Sequence, residues 1–193
     1  PSGWLLRSSA SATARRANSV LAFPSGPFGP DEVSVALRHY AELGKPPVAA
    51  VLGSSDERDF LTGLGWVPES HDADTHFQLA PVAGARRALV GIDTSRVTVS
   101  LDDGIATASV PGALGFAAYA DDWVGFRGIE VAPEHRRHGL ASTIMAALLE
   151  WGAERGAVTA YLQVLGHNAP ALALYASMGF RTHHAYAYLT PPR

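Results

Sequence analysis

Ile129-Glu130-Val131-Ala132-Pro133-Glu134-His135-Arg136-Arg137-His138-Gly139-Leu140-Ala141 is the stretch on which the reading of the fold turns. A strand ends at Val131, a short loop follows, and a helix opens at Gly139 and runs to about Arg155, stopped by Gly156. Leu140, Ile144, Leu148 and Trp151 recur at i, i+4, i+8 and i+11, the strongest helical period in the chain. The first-turn N–H groups of such a helix have no intrahelical partner, and its dipole is positive there, so the turn is an anion site. Gly139 and the small Ala141 leave room for a phosphate to reach the backbone, and Arg136 and Arg137 add positive charge. The same residues also suit a solvated loop ahead of an ordinary helix. No Gly-Lys-Ser/Thr follows, so this is not a P-loop. The strands before it read as hairpins, so it is not a dinucleotide βαβ turn either.

Upstream, Val97–Leu101 alternates and meets Ile105–Val110 across Asp103-Gly104, a hairpin turn pair. Pro111-Gly112 and Asp121-Asp122 are further turns that separate Leu114–Tyr119 from Trp123–Val131, giving an antiparallel meander. Downstream, Thr159–Leu165 reads as a strand. Pro170–Met178 reads as a helix with proline near its first turn and Gly179 at its end, and Phe180–Leu189 as extended.

In the first half, Trp4–Leu6 and Ser19–Phe23 read as short strands and Pro24–Pro30 as loop. A helix with Asp31 as N-cap is expected to reach Leu43, followed by a strand over Val48–Leu52, a helix over Asp56–Leu64 and a last strand near Thr75–Leu79. Ala80–Arg87, small and weakly basic, reads as linker. The domains expected are therefore 1–80, a linker over 81–96, and 97–193. The halves echo each other: the helix, Gly44 and strand of Leu37–Val51 resemble Leu148–Leu162 around Gly156, and Leu61–Trp66 resembles Tyr175–Phe180. Degenerate duplication and chance similarity of two helix–strand units both fit.

Composition narrows the function classes. At 193 residues the chain allows one large domain or two small ones. With 47% apolar and 17% charged residues it is built to form a core. A net charge of −3 gives no basic excess for a nucleic-acid backbone. The lack of cysteine excludes disulfides, thiolate metal sites and a Cys nucleophile. No apolar run approaches the roughly 20 residues that span a bilayer. Pro1–Arg16 begins without Met and lacks a signal peptide's apolar stretch, so it reads as the edge of a longer chain, and the cytoplasm is the expected compartment.

Arg136-x-x-Gly139-x-Ala141 resembles the Q/R-x-x-G-x-G/A motif of the GCN5-related N-acetyltransferase (GNAT) family. Asn168-Ala169-Pro170-Ala171-Leu172-Ala173-Leu174-Tyr175-Ala176-Ser177-Met178-Gly179-Phe180 is similar to the family's second signature, N-x-x-A-x-x-L-Y-x-x-x-G-F. The resemblance covers about Val97–Leu189 and implies an α/β (mixed-sheet) fold with meander, central helix and parallel strand pair. The whole chain also looks like actinobacterial two-unit members, including an N-acetylglutamate-synthase-like group, without a motif of its own for that subtype.

The resemblance implies acetyl-CoA as co-substrate and an amine acceptor, small molecule or peptide, attacking the thioester directly in a ternary complex. Nucleic acid and membrane are not expected partners, and a homodimer stays open. It assigns the main chain of Ile129 and Val131 to the pantetheine arm. Arg136, Arg137, His138, Gly139, Leu140, Ala141 and Ser142 fall to the pyrophosphate, Asn168 to the pantetheine amide, and Tyr175 to the general acid. Asn168 also suits a plain helix cap, and Tyr175 a core aromatic. Some relatives carry a Glu base where this chain has Gln163, and an amide cannot take the proton. Glu130 is then the leading base, with Asp121, Asp122, His167, a water-mediated base or none as alternatives. That gap keeps a rival open, an acyl-CoA-binding regulatory module without turnover.

The adjacent His183-His184 face opposite sides of an extended strand, and His71, Asp72, Asp74 and His76 read as a solvated loop, so no metal is expected. In the first half, Arg15-Arg16-Ala17-Asn18-Ser19 stands where a phosphate turn would be, without glycine. That half is expected to bind no CoA and to wall the acceptor cleft, with Trp4, Arg15, Arg16 and Asn18 as candidate acceptor contacts.

Overall fold

In chain order, the computed structural model has β1 (Trp4–Leu6), β2 (Val20–Ala22), α1 (Pro30–Glu42), β3 (Ala49–Leu52), α2 (Asp56–Gly63), β4 (Val67–Pro68), β5 (Asp74–Pro81) and α3 (Val82–Ala88). There follow β6 (Thr98–Asp102), β7 (Ile105–Val110), β8 (Ala113–Ala120), β9 (Trp123–Val131), α4 (Leu140–Glu154), β10 (Thr159–Leu165), α5 (Ala169–Ser177) and β11 (Arg181–Thr190). The described residues are 4–10, 14–22, 29–69 and 74–192. Most of the loop expected at Pro24–Pro30, and His71 and Asp72 of the polar cluster, lie outside them. No helix among the described residues is long and apolar enough to cross a membrane. The fold class is mixed α/β.

Two compact units emerge, Pro1–Thr75 with His184–Arg193, and His76–His183. In the first, the parallel pair β2–β3 is flanked by β1, and β3 pairs antiparallel with the end of β11 from Tyr186↔Leu52 to Leu189↔Ala49. Its core holds Val20, Val33, Tyr40, Val51, Leu61, Trp66 and Leu189. Helix α1 starts two residues earlier than expected. Gly29 is its N-cap and Pro30 takes the first turn, a position its fixed φ favours, which leaves Asp31 inside the helix.

In the second unit the strands run β5-β10-β9-β8-β7-β6. Strand β5, expected as the last strand of the first half, lies beside β10. Helix α3 stands where a flexible linker is expected. Ala and Arg are strong helix formers, and Val82 and Ala85, three positions apart, are fully buried in this unit's core. Leu89, at the next helical position, packs against the same core, so the periodic signal was in the sequence. Helices α3, α4 and α5 all place residues in that core, together with Ala106, Ala108, Ala117, Val124, Phe126, Ala160, Leu162 and Val164 of the strands. All three helices therefore cover one face of the sheet.

The echo between the halves has a geometric counterpart. After α1, Gly44 is left-handed (φ 61°) and Lys45 N–H donates to Tyr40. After α4, Gly156 (φ 89°) precedes the matching bond from Ala157 to Gly152. After α2 and α5, Gly65 (83°) and Gly179 (86°) precede bonds from Trp66 to Leu61 and from Phe180 to Tyr175. All four are Schellman closures.

Candidate active site

Strands β9 and β10 pair in parallel from Thr159↔Trp123 to Leu162↔Phe126 and no further. Beyond that pair β9 runs on to Val131 and β10 to Leu165, leaving a slot edged by backbone without a ladder partner. The cause lies in β9. Leu114 faces Glu130 and Phe116 faces Arg127, so Gly128 and Ile129 together oppose the single Gly115. This is a β-bulge, with Gly128 left-handed at φ 57°. Gly115 admits it: a Cβ there would stand 2.5 Å from Ile129 Cδ1 and 2.7 Å from Ile144 Cγ2. The parting therefore begins after Phe126.

At the end of β9 a 3-10 turn, Pro133–His135, leads to α4. Ala132 N–H donates to the Gly112 carbonyl at 2.8 Å, and the His135 ring lies where a Cβ on Gly112 would be. The approach to α4 is thus pinned to the β7–β8 turn. His135 is a positioning residue that the motif did not reveal; the only sequence signal near it was the Pro111-Gly112 turn. Arg136 folds back so that Nε donates to the Val131 carbonyl at 3.3 Å. Arg137 and His138 are exposed, and Arg137 takes a left-handed φ of 66°, uncommon for a residue with a Cβ.

Gly139 is the N-cap of α4, left-handed at φ 78°, and among the described residues no side chain accepts from the N–H groups of the turn it opens. A Cβ on it would meet nothing within 4 Å, so open space lies over the N–H groups of Leu140, Ala141 and Ser142. These are orphan donors at the positive end of a 15-residue helix.

Asn168 is the N-cap of α5, its Oδ1 accepting from Ala171 N–H at 3.2 Å. The capping role weighed from the sequence is present, and it leaves the Nδ2 donors over. Tyr175, on α5, is buried in the core and meets Phe180 edge-on at 5.9 Å. Its hydroxyl makes no hydrogen bond among the described residues, and burial raises its pKa above the ordinary phenol value. Glu130 is exposed on β9. Asp121 and Asp122 form the β8–β9 turn, at the end of β9 remote from the bulge, roughly 20 Å away at a strand's rise per residue.

The slot, the α4 turn and α5 thus bring the two sequence motifs to one region. The first-half candidates are engaged within their own unit. Arg15 pairs with Glu69 and lies over Tyr188, and Asn18 bonds Ala14, Ser9 and Lys45. Arg16 stands near Tyr186, and the indole N–H of Trp4 is buried with no hydrogen-bond partner among the described residues.

Residues 71–189, more than half of the chain, match the family described as probable histone acetyltransferase Rv0428c C-terminal. The chain belongs to the GNAT family. Within it, the chain is 36% identical over 101 residues to the probable histone acetyltransferase Rv0428c of Mycobacterium tuberculosis, covering 44% of this chain and 33% of that protein. To the uncharacterized N-acetyltransferase YobR of Bacillus subtilis it is 38% identical over 68 residues, covering 35% and 28%. It spans a third or less of the length of each. A GCN5-related N-acetyltransferase from Kribbella flavida shares the GNAT fold at a TM-score of 0.64, with 18% identity over 91% of this chain and 82% of that one.

Proposed function

We propose that this chain transfers an acetyl group from acetyl-CoA to an amine acceptor, with both substrates bound at once. The observation that carries the reading is the uncapped first turn of α4, set at the foot of a slot between two parallel strands. Bound acetyl-CoA would supply an activated acyl group on a thiolate leaving group, and a diphosphate that needs an anion site. The residues present fit both needs. The N–H groups of Leu140, Ala141 and Ser142 would hold the diphosphate, with Arg136, Arg137 and His138 adding donors around it. The main chain of Ile129 and Val131 would bond the amide-bearing arm along the slot, and Asn168 Nδ2 would reach the same arm while Oδ1 goes on capping α5.

Tyr175 would give its proton to the departing sulfur. A phenol whose pKa is raised by burial stays protonated throughout the neutral range, as a general acid must. Glu130 would take the proton that the amine loses as the C–N bond forms and the C–S bond breaks. We further read the first half as a worn copy of the second, on the strength of its parallel strand pair and matching helix closures.

The test is calorimetry of CoA binding to the intact chain and to Gly139→Val. A β-branched residue in a left-handed conformation at that position strains the backbone and fills the space over the N–H groups. Heat of association with the wild type, weakened about tenfold or more in a variant that keeps its helical circular dichroism, supports the site. Equal affinity in both, or no heat with the wild type, overturns it.

A further inference from the structure

The face of the second unit's sheet opposite the three helices carries one cation whose chemistry the proposed reaction leaves unused. Arg127 is the first β9 residue past the last pair with β10, and it points away from the helices, on the same face as its cross-strand partner Phe116. Its guanidinium lies over the Phe116 ring, Cζ 4.8 Å from the centroid. The ring is itself pressed against the bulge, since a Cβ on Gly128 would stand 3.0 Å from Phe116 Cδ2. The cation is thus held beside the slot, over β8, by a ring that the bulge keeps in place. Arg127 is exposed, takes part in none of the three ion pairs among the described residues, and donates no hydrogen bond among them. Planar guanidinium donors, outside every ion pair among the described residues and lying over an aromatic ring, are matched to a carboxylate.

The position suits an acceptor. The anion turn and Tyr175 belong to helices on the other face, so an arm lying in the slot has its far side toward Arg127, and an amine attacking opposite those groups arrives there. Phe116 is one strand spacing from β9 on the side away from the slot. The guanidinium therefore stands roughly 7–8 Å from the slot's axis, within the span of a short amino acid hydrogen-bonded through its carboxylate. Resting on the acetyl-transfer reading above, we infer that Arg127 sets acceptor specificity: the amine acceptor is a small amino acid whose carboxylate Arg127 binds.

The experiment compares free amino acids with their carboxamides, each pair differing only in the anionic group, as acceptors for the intact chain and for Arg127→Gln. Alongside it, calorimetry measures CoA binding to both proteins, and a dipeptide series separates a free amino acid from a peptide terminus. The expected result is a wild-type preference for the acid over the amide of about ten- to hundredfold in kcat/KM, carried by KM. In Arg127→Gln that ratio falls to near one while CoA affinity holds. A wild type that acetylates amides as well as acids, or an acid preference that survives in Arg127→Gln, overturns the inference and leaves the acetyl-transfer reading standing. So does CoA binding with no acceptor in the panel modified, or turnover confined to the peptides. Failure to bind CoA removes the underlying reading, and the inference with it.

Discussion

Gly115→Ala tests whether the bulge in β9 is held open by the helix beneath it. The added methyl would stand 2.5 Å from Ile129 Cδ1, 2.7 Å from Ile144 Cγ2 and 3.4 Å from Leu148 Cδ1. Carbon atoms settle at about 3.5–4.0 Å, so two of these neighbours must each yield about 1 Å. Ile129 can turn its terminal methyl aside. Ile144 cannot, being β-branched, helical and fully buried. Overpacking of this kind costs about 1–3 kcal/mol. Ile129→Val removes the nearer clashing atom and alone should cost about 0.5–1.5 kcal/mol. Combined, the two changes conserve volume, so the double variant should be more stable than the sum of the single costs predicts, by about 1 kcal/mol. Urea denaturation of the four proteins measures this, and CoA calorimetry on the same set should show affinity falling in Gly115→Ala and partly recovering in the double variant. Costs that add to within about 0.5 kcal/mol would refute the claim that Gly115, Ile129 and Ile144 share one tight contact.

Tyr175→Phe should lower kcat about a hundredfold or more, while CoA affinity and urea midpoint barely move, since the hydroxyl has no hydrogen-bond partner among the described residues to lose; a large drop in stability would make the residue structural. Glu130→Gln should lower kcat at least tenfold without changing CoA binding, and an unaffected kcat would remove Glu130 as base. Burial holds the hydroxyls of Tyr40, Tyr175 and Tyr186 above the usual phenol pKa, so the folded state keeps protons that the unfolded chain releases near pH 10. Stability should therefore be insensitive to these groups below about pH 10 and fall above it, read by phenolate absorbance during alkaline unfolding; flat stability well above pH 10 would contradict their burial. Breaking the exposed Arg86–Glu150 pair with Glu150→Gln should cost no more than about 1 kcal/mol and less at high salt, and a larger cost would show that α3 depends on it.

What the sequence made legible is what short-range physics decides. The meander follows from turn residues: Asp103-Gly104 and Asp121-Asp122 take the positive φ values that tight hairpins require, and each joins the strands expected. Helix α4 follows from its apolar period, and the anion turn from a glycine with no capping side chain. Helix α3 is legible in the helix propensity of its Ala and Arg residues, although small residues alone suggest a linker. The placement of β5 and of the end of β11 was not legible. Each is an apolar strand whose pairing is settled by partners far along the chain, and alternation alone names no partner.

The same distinction separates the parts of the candidate site. The diphosphate turn needs one glycine, one uncapped helix and one strand end, all within a short span, so a motif of a few residues captures it. The slot needs two strands to part. That depends on Gly128 and Ile129 of β9 opposing Gly115 of β8, and on Ile144 of α4 filling the space that Gly115 leaves. No spacing rule joins those residues, because their common cause is a three-dimensional contact. Arg127 belongs with them. In the sequence it is an ordinary strand arginine; its candidacy for acceptor recognition arises only once the bulge sets Phe116 beneath it and the parting of β9 from β10 opens a slot beside it. The motifs therefore point to how acetyl-CoA would be held, whereas the acceptor choice proposed for Arg127 rests on the contacts around the bulge.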